Sequence, residues 1–145
     1  MILVDLNLLV YAVNRDAPDH KAALAWWEDC LSGDEPVALA WSVVLGFLRV
    51  STLPALPRPL CCEDALKVVD DWLKQPVVVL LHPSDRHWDV LRELLIGTGT
   101  AGNLTSDAHL AALAMEYGAV LYSSDNDFRR FEPELRFRNP LQRKR

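Results

Sequence analysis

Short apolar runs alternate along the chain with segments whose hydrophobic residues recur three and four positions apart. The runs are rich in aliphatic and β-branched residues and predict buried strands, whereas the wider spacing predicts amphipathic helices. Strands are predicted at residues 2–4, 37–39, 77–80 and 119–122. Helices are predicted at residues 6–13, 20–31, 42–50, 63–73, 85–95 and 103–117. Two helices therefore separate each pair of successive strands.

Helix-capping and helix-breaking residues support these boundaries. Ser42 and Ser84 stand where serine commonly caps a helix N-terminus, and Gly97 and Gly118 stand where glycine commonly ends a helix. The proline-rich segment 54–59 predicts a non-helical connection. Strands that alternate with helices predict an α/β fold, namely a three-layer α/β/α sandwich with a mostly parallel central sheet.

Length and composition narrow the class of protein. The chain has 145 residues, half of them hydrophobic, which is typical of one folded domain spanning residues 1–145. Its apolar runs are much shorter than the roughly 20 residues that a membrane span requires. The N-terminus lacks the basic leader and cleavage site of a signal peptide, and the three cysteines form no CxxC pair. These features predict a cytoplasmic protein without membrane association, zinc ribbon or disulfide framework.

The net charge of −5 is unevenly distributed. From Arg129 to the end, seven basic residues accompany two acidic ones, a net charge of +5 that leaves −10 on the rest of the chain. Such asymmetry indicates either a phosphate-binding edge beside an acidic metal pocket or a solvated tail. The charge pattern alone leaves both interpretations open.

Four aspartates lie close to predicted strand ends or a helix start. Asp5 follows the first strand, Asp125 and Asp127 follow the last strand, and Asp107 lies near the start of a helix. Each alone has an ordinary interpretation as a cap or turn residue. In a parallel sheet, however, the carboxyl ends of the strands meet at one edge, so these carboxylates are expected to converge. Their repulsion would raise their pKa values unless a cation neutralises them, and oxygen ligands favour Mg²⁺ or Mn²⁺.

Other catalytic templates are absent from the chain. It contains no P-loop, no nucleophile elbow, no HExxH zinc motif and no dinucleotide-binding glycine pattern. The four histidines share no metal-ligand spacing and are predicted to be structural or exposed: His20, His82, His87 and His109.

Four segments, in order along the chain, carry a family resemblance. They are residues 2–7 (ILVDLN), 47–50 (FLRV), 105–114 (TSDAHLAALA) and 123–131 (SSDNDFRRF). Together they resemble the PIN-domain ribonucleases, and more closely the VapC-type toxins of bacterial toxin–antitoxin pairs. The resemblance extends from Met1 to the Asn139-Pro140-Leu141 ending. No single segment is specific, because an acid after a strand is common, but the four in this order are hard to obtain otherwise.

The resemblance implies a three-layer fold and endonucleolytic hydrolysis of single-stranded or structured RNA with Mg²⁺ or Mn²⁺. Asp5, Asp107 and Asp125 match the metal ligands of the family, and Asp127 matches a position that often assists directly or through water. The implied partners are the RNA substrate, a VapB-type antitoxin whose chain threads over the active site, and a second copy of the chain in a homodimer.

One position departs from the family pattern. The acid usual on the third helix, just before an aromatic residue, is Gly46 here. This loss predicts a shifted ligand set that uses Asp127, with slow catalysis or an inactive domain as alternatives. Asn7 and Ser124 are expected to support the metal ligands. Arg49 is interpreted either as an ion-pair partner of the acidic residues or as a cation at the helix terminus.

Two other classes of function remain as alternatives. A phosphotransferase or phosphatase of the haloacid-dehalogenase or receiver type also places an aspartate after its first strand. The former needs a second aspartate where Asn7 stands, and both need a lysine after a later strand that is missing here. A non-catalytic PIN-like binding module is the other alternative, if the change at Gly46 has removed activity while partner contacts remain.

Overall fold

The computed structural model describes residues 1–142 and is built around a five-stranded sheet in which all neighbouring strands are parallel. The strands are β1 (Ile2–Val4), β2 (Val37–Ala40), β3 (Val78–Leu81), β4 (Val120–Tyr122) and β5 (Phe137–Arg138). The first four match the predicted strands, whereas the short β5 was not predicted. The last three basic residues of the predicted tail, Arg143, Lys144 and Arg145, lie outside the described residues.

Helices connect the strands and cover the sheet, so the predicted three-layer α/β/α sandwich is confirmed. Short 3-10 helices at Gly102–Leu104 and Asn126–Phe131 accompany six α-helices. The α-helices are α1 (Leu6–Val13), α2 (His20–Ser32), α3 (Trp41–Ser51), α4 (Cys62–Leu73), α5 (His87–Thr98) and α6 (Thr105–Tyr117). None of the helices within residues 1–142 is long and apolar enough to cross a membrane.

Local hydrogen bonds move three predicted helix boundaries. Ser42 caps nothing, because α3 begins one residue earlier and has no side-chain cap. Ser84 is bound through both its backbone N–H and its hydroxyl to Glu116, so α5 begins only at His87. Gly97 does not end α5. The helix ends instead at Gly99, whose φ of 71° is the left-handed conformation that glycine adopts readily.

The histidines on the last two long helices join those helices together. The His87 ring bonds to the Glu116 carboxylate through Nδ1 and to His109 Nδ1 through Nε2, over 2.8 Å in the latter case. Burial of His109, with the neighbouring His87, lowers the pKa of the His109 ring. These side chains therefore anchor α5 to α6, the helix that carries Asp107.

The order of the strands determines where side chains from distant segments meet. Across the sheet the order is β3-β2-β1-β4-β5, so the chain first builds outward from β1 to β3 and then crosses over to add β4 on the other side. The strand order therefore reverses between β1 and β4. In open parallel sheets, such a reversal opens a crevice at the carboxyl ends of the two strands.

The core supports both strands at this crevice. Leu3 in β1 and Leu121 in β4 are fully buried, and they pair in register across the two strands. Leu8 and Leu9 of α1 are also fully buried. Full burial of an aliphatic side chain contributes about 1.5–3 kcal/mol to stability, so these side chains stabilise the two strands that border the crevice.

We predict that Leu3→Ala lowers the free energy of unfolding by about 2–5 kcal/mol, because it removes buried methyl groups and leaves a cavity beneath the crevice. Leu45→Ala is the matched control, since this leucine of α3 is 60% exposed. The control should change stability by no more than about 0.5 kcal/mol. Urea denaturation followed by circular dichroism measures both values. Equal losses in the two variants would contradict the assignment of Leu3 to the core.

Candidate functional site

Asp5 and Asp125 lie on the two sides of the crevice between β1 and β4. The Asp5 backbone N–H donates to the carbonyl of Tyr122, the last residue of β4, over 2.9 Å. The Asp5 side chain also accepts from the N–H of Leu6 at 2.8 Å and so caps α1. Asp125 caps the following 3-10 helix by accepting from the N–H of Asp127 at 2.9 Å. Both aspartates therefore serve as caps, and each cap leaves carboxylate lone pairs free.

Ser123 holds the two sides of the crevice together. This residue is fully buried, and its hydroxyl donates to Asp5 Oδ2 at 2.6 Å. The Ser123 hydroxyl oxygen also accepts from the backbone N–H of Asp125 at 3.0 Å and from Asn7 Nδ2 at 3.2 Å. One hydroxyl thus fixes the position of the first carboxylate relative to the loop that carries Asp125.

Sequence reasoning named Ser124 and missed Ser123. The Ser124 hydroxyl makes no hydrogen bond to another group of residues 1–142, and this residue contributes its backbone instead. Its N–H donates to Asn7 Oδ1 at 3.3 Å, and its carbonyl accepts from Asn139 Nδ2 at 3.2 Å. Strand alternation was the available signal, because Ser123 shares the inward direction of Leu121 two residues earlier.

Asp107 lies in the first turn of α6, near enough to the other three carboxylates for their charges to act on it. Partial burial raises its pKa to about 6, and the charges of Asp5, Asp125 and Asp127 add to the rise, which Arg130 opposes. Asp5, Asp107, Asp125 and Asp127 are hereafter the four edge carboxylates.

The pKa of Asp5 is also raised. Burial is the main cause, and the charge of Asp125 adds to the rise, while the hydrogen bonds from Ser123 and the Leu6 N–H oppose it. The ionised forms of Asp5 and Asp107 are therefore destabilised by burial and by the neighbouring carboxylates.

The donor set suits a hard cation. Within residues 1–142, no three histidine, cysteine, aspartate or glutamate side chains are already close enough together to hold one metal ion. Mg²⁺ nevertheless commonly uses one or two carboxylates and keeps several waters. Oxygen donors that repel one another fit such an ion, because its charge would relieve their repulsion.

Asp127 lies at the outer margin of the four edge carboxylates. Its side chain is 69% exposed, and Arg130 approaches it with a guanidinium nitrogen 4.0 Å from Oδ2. The Arg130 Nε–H also donates to the Asp127 carbonyl at 3.0 Å. The Arg130 guanidinium therefore lies beside an exposed carboxylate at this margin of the site.

Leu6 occupies the space beside Gly46, where the resemblance places an acid. A Cβ atom added to Gly46 would lie only 2.8 Å from Leu6 Cδ2, so the leucine would have to move to admit any side chain. Arg49 lies exposed in the last turn of α3, and none of the ion pairs within residues 1–142 includes it. The structure thus favours its interpretation as a helix-terminal cation over an ion pair with the acidic residues.

An open groove lies beside Asp5, between α1 and α3. It has a volume of about 320 Å³ and is lined mainly by apolar side chains. Its lining residues are Asp5, Leu6, Asn7, Val10, Tyr11 and Val50. The first carboxylate is therefore accessible from solvent along an apolar channel.

Comparison with protein families and curated proteins finds clear relatives. A family model described as PIN domain matches residues 2–132. Ribonuclease VapC37 of Mycobacterium tuberculosis is 48% identical over 133 residues, which cover 91% of this chain and 92% of that protein. Ribonuclease VapC33 of the same organism is 44% identical over 142 residues, which cover 97% and 99% of the two chains.

Solved structures share the fold at lower identity. VapBC2 from Rickettsia felis, bound to a DNA fragment from its promoter, matches with a TM-score of 0.70 at 21% identity, covering 96% of this chain and 98% of that chain. VapC20 of Mycobacterium tuberculosis, described as a toxin that cleaves the sarcin-ricin loop, also has a TM-score of 0.70, at 20% identity and with coverages of 94% and 99%.

We predict that Asp107→Asn raises the melting temperature at about pH 8 without divalent cations, and that the gain disappears below about pH 4. The pKa of Asp107 rises on folding from its ordinary 3.8 to about 6. The folded state consequently holds this proton more tightly, so the stabilisation is complete below pH 3.8 and is lost as the pH rises through 6. The asparagine variant has no proton to lose at this position, so its stability does not fall in this way as the pH rises.

Thermal melts across this pH range test the expectation. Asp70→Asn is the control, because it makes the same change of charge at an exposed position of α4. A difference between Asp107→Asn and the wild-type protein that stays constant with pH would show that the Asp107 pKa is not raised.

Proposed function

The chain belongs to the PIN-domain family, among its VapC ribonucleases, and we propose that its four edge carboxylates bind the divalent ion with which it cleaves RNA. The protein is accordingly a ribonuclease toxin that a VapB-type antitoxin neutralises. The observation that carries the metal proposal is the proximity of Asp5, Asp107 and Asp125. Burial raises the pKa values of Asp5 and Asp107, and the charges of neighbouring carboxylates add to both rises.

The hydrogen bonds of the site leave ligand positions free on the carboxylates. Ser123 and the Leu6 N–H each use one lone pair of Asp5, on different oxygens. The Asp127 N–H occupies only Oδ1 of Asp125. Each carboxylate is therefore held in place by its neighbours and retains lone pairs that can face a cation.

Asp107 makes the affinity for a cation depend on pH. Its pKa of about 6 means that below this pH it is largely protonated and a poor ligand. Above this pH it ionises and adds charge to the site. A bound divalent ion lowers the pKa of a water molecule and stabilises the charge that develops on the phosphate. The protein's own contribution is to orient the carboxylates through Ser123 and the helix caps.

Gly46 is the feature that favours the non-catalytic alternative. Without an acid on α3, this site has one negative charge fewer than the family pattern, and Asp127 is the remaining candidate to supply it. The homodimer and the path of the antitoxin over the site stay predictions. The apolar groove beside Asp5 supports an antitoxin path at that place.

Asp125→Asn is expected to lower cleavage of single-stranded RNA at least about 100-fold, because the amide keeps the shape of the side chain but loses its charge. Initial rates in Mg²⁺ and in Mn²⁺ measure the effect, with Asp70→Asn as the control of equal charge change. Mn²⁺ should also raise the melting temperature of the wild-type protein more than that of Asp125→Asn.

Two results would contradict this proposal in different ways. Undiminished cleavage by a folded Asp125→Asn protein would exclude the edge carboxylates as the metal site. A wild-type protein that binds its antitoxin, but cleaves no RNA with either ion, would be the non-catalytic module.

Ser123→Ala is expected to lower cleavage about 10- to 100-fold, whereas Ser124→Ala leaves it nearly unchanged. Removal of the Ser123 hydroxyl deletes a hydrogen bond that lowers the pKa of Asp5, so the acid side of the pH–rate profile should move to higher pH. A merely structural effect would lower the rate without moving the profile. Equal losses in the two serine variants would refute the role of Ser123.

A further inference from the structure

Two exposed arginines lie at the edge of the sheet next to the site, Arg138 in β5 and Arg136 directly before this strand. Arg136 and Arg138 flank Phe137, which is 9% exposed and points into the core. Because side chains alternate along a strand, the two arginines lie on the same face. We name them the edge arginines. Their Cα atoms are two residues apart, which is about 6.6 Å along a strand.

The edge arginines have no carboxylate partner within residues 1–142. The five ion pairs found there use Arg129 and Arg130 but neither Arg136 nor Arg138. Arg136 donates one hydrogen bond to the Gly118 carbonyl, which orients its guanidinium beside the start of β4. The charges of the edge arginines are thus available to an anionic ligand, whereas Arg129 and Arg130 face carboxylates.

Hydrogen bonds connect the edge arginines directly to the site. Arg138 pairs in register with Tyr122, and its carbonyl accepts from the Ser123 N–H at 3.1 Å. The next residue, Asn139, donates to the carbonyl of Ser124 at 3.2 Å. Arg138 therefore stands at the carboxyl end of β5 beside the loop that carries Asp125, and Arg136 lies one step farther from that loop.

A nucleic acid needs positively charged groups near the four edge carboxylates in order to reach them. The chain before residue 129 carries a net charge of −10, so a nucleic acid is repelled by most of this protein. Arginine guanidinium groups bind phosphates in a planar, two-pronged geometry. A shallow depression of about 400 Å³ at the sheet edge is lined by both edge arginines and by the ion pair of Arg129 with Glu132. Because Arg129 neutralises Glu132 there, the edge arginines supply the free positive charge for phosphates.

The composition of this edge favours a nucleic acid over a protein partner. The residues that dominate protein interfaces are enriched in Trp, Tyr and Arg, and an arginine there usually acts together with buried aromatic side chains. Within residues 1–142, the exposed large hydrophobic side chains all lie at or before Tyr117, and none lies between 118 and 142. The edge around β5 consequently offers charge without an apolar anchor.

We propose that Arg136 and Arg138 bind successive phosphates of the RNA substrate and guide the strand along β5 to the carboxylates. This inference rests on the proposed function, since it takes RNA as the substrate. The RNA then approaches the site from the β5 edge of the sheet. The groove between α1 and α3 lies on the other side of Asp5.

The test compares the salt dependence of RNA binding in charge-matched variants. A labelled single-stranded RNA is titrated with Asp107→Asn protein at several KCl concentrations. EDTA and the substitution together prevent cleavage of the RNA. Each lost phosphate contact reduces the slope of log K against log[salt] by about 0.7 for a single strand, so Arg136→Gln with Arg138→Gln should reduce it by about 1.4. Lys67→Gln with Lys74→Gln is the control, because both lysines are exposed at α4, next to the opposite edge of the sheet.

Further variants separate charge from folding. Arg136→Lys with Arg138→Lys keeps both charges and should retain most of the slope. If the double glutamine variant does not fold, as judged by its melting curve, Arg138→Gln alone serves, since this side chain makes no hydrogen bond to residues 1–142. Its slope should fall by about 0.7.

The outcomes distinguish this inference from the proposed function. The inference is overturned if the slope of log K against log[salt] falls equally in the arginine and lysine variants, or if it falls in neither. Cleavage of RNA by the wild-type protein would still support the proposed function in that case. If the wild-type protein cleaves no RNA but the slope falls only in the arginine variants, the edge arginines bind RNA phosphates as inferred and the proposed metal-dependent cleavage is refuted. An unchanged RNA slope, with lost binding of polyglutamate, would assign the edge arginines to an acidic protein and overturn the inference.

Discussion

The pairing of β1 with β4 is the constraint on which the site depends. The two strands are more than a hundred residues apart, yet Ile2 to Val4 align in register with Val120 to Tyr122. Their adjacency places Asp5 beside the loop of Asp125, and the buried Ser123 hydroxyl fixes the distance between them. Because parallel strands are joined only through crossover connections, β1 and β4 cannot pair as a local hairpin, and their pairing brings together two distant parts of the chain. The arrangement of carboxylates therefore exists only in the completed fold.

The carboxylates oppose the fold that assembles them. Burial destabilises the ionised forms of Asp5 and Asp107, and the neighbouring charges destabilise them further. The helix caps and the Ser123 hydrogen bond offset part of this cost by stabilising the ionised carboxylates. In the proposed function, a bound cation would relieve the remaining repulsion. Burial first, and then the charges of the neighbouring carboxylates, account for the raised pKa of Asp107.

Gly46 shows how packing accompanies the departure from the family pattern. The position faces Leu6, the residue directly after Asp5, so closely that the end of the leucine side chain would have to move to admit a Cβ atom. The missing acid is thus replaced by a tight contact between α1 and α3 rather than by an empty space. Negative charge on this side of the crevice consequently comes from the aspartates of the strand ends and α6 alone.

Sequence patterns were sufficient to predict the four longer strands and the six α-helices of residues 1–142, the parallel α/β class and the aspartates at the strand ends. These features follow from local properties, namely hydrophobic spacing, capping residues and the meeting of parallel strand ends at one edge. Strand β5 escaped prediction because two residues, one of them an exposed arginine, carry too little periodic signal. Ser123 was overlooked in favour of Ser124 because neighbouring serines have the same chemistry. Only the inward direction of one side chain, which depends on the pairing of β4 with its neighbours, separates them. The contact of Leu6 with Gly46 and the hydrogen bond between the Arg138 backbone and Ser123 were visible only in the folded structure. Both join segments whose separation in the chain carries no information about their distance in space.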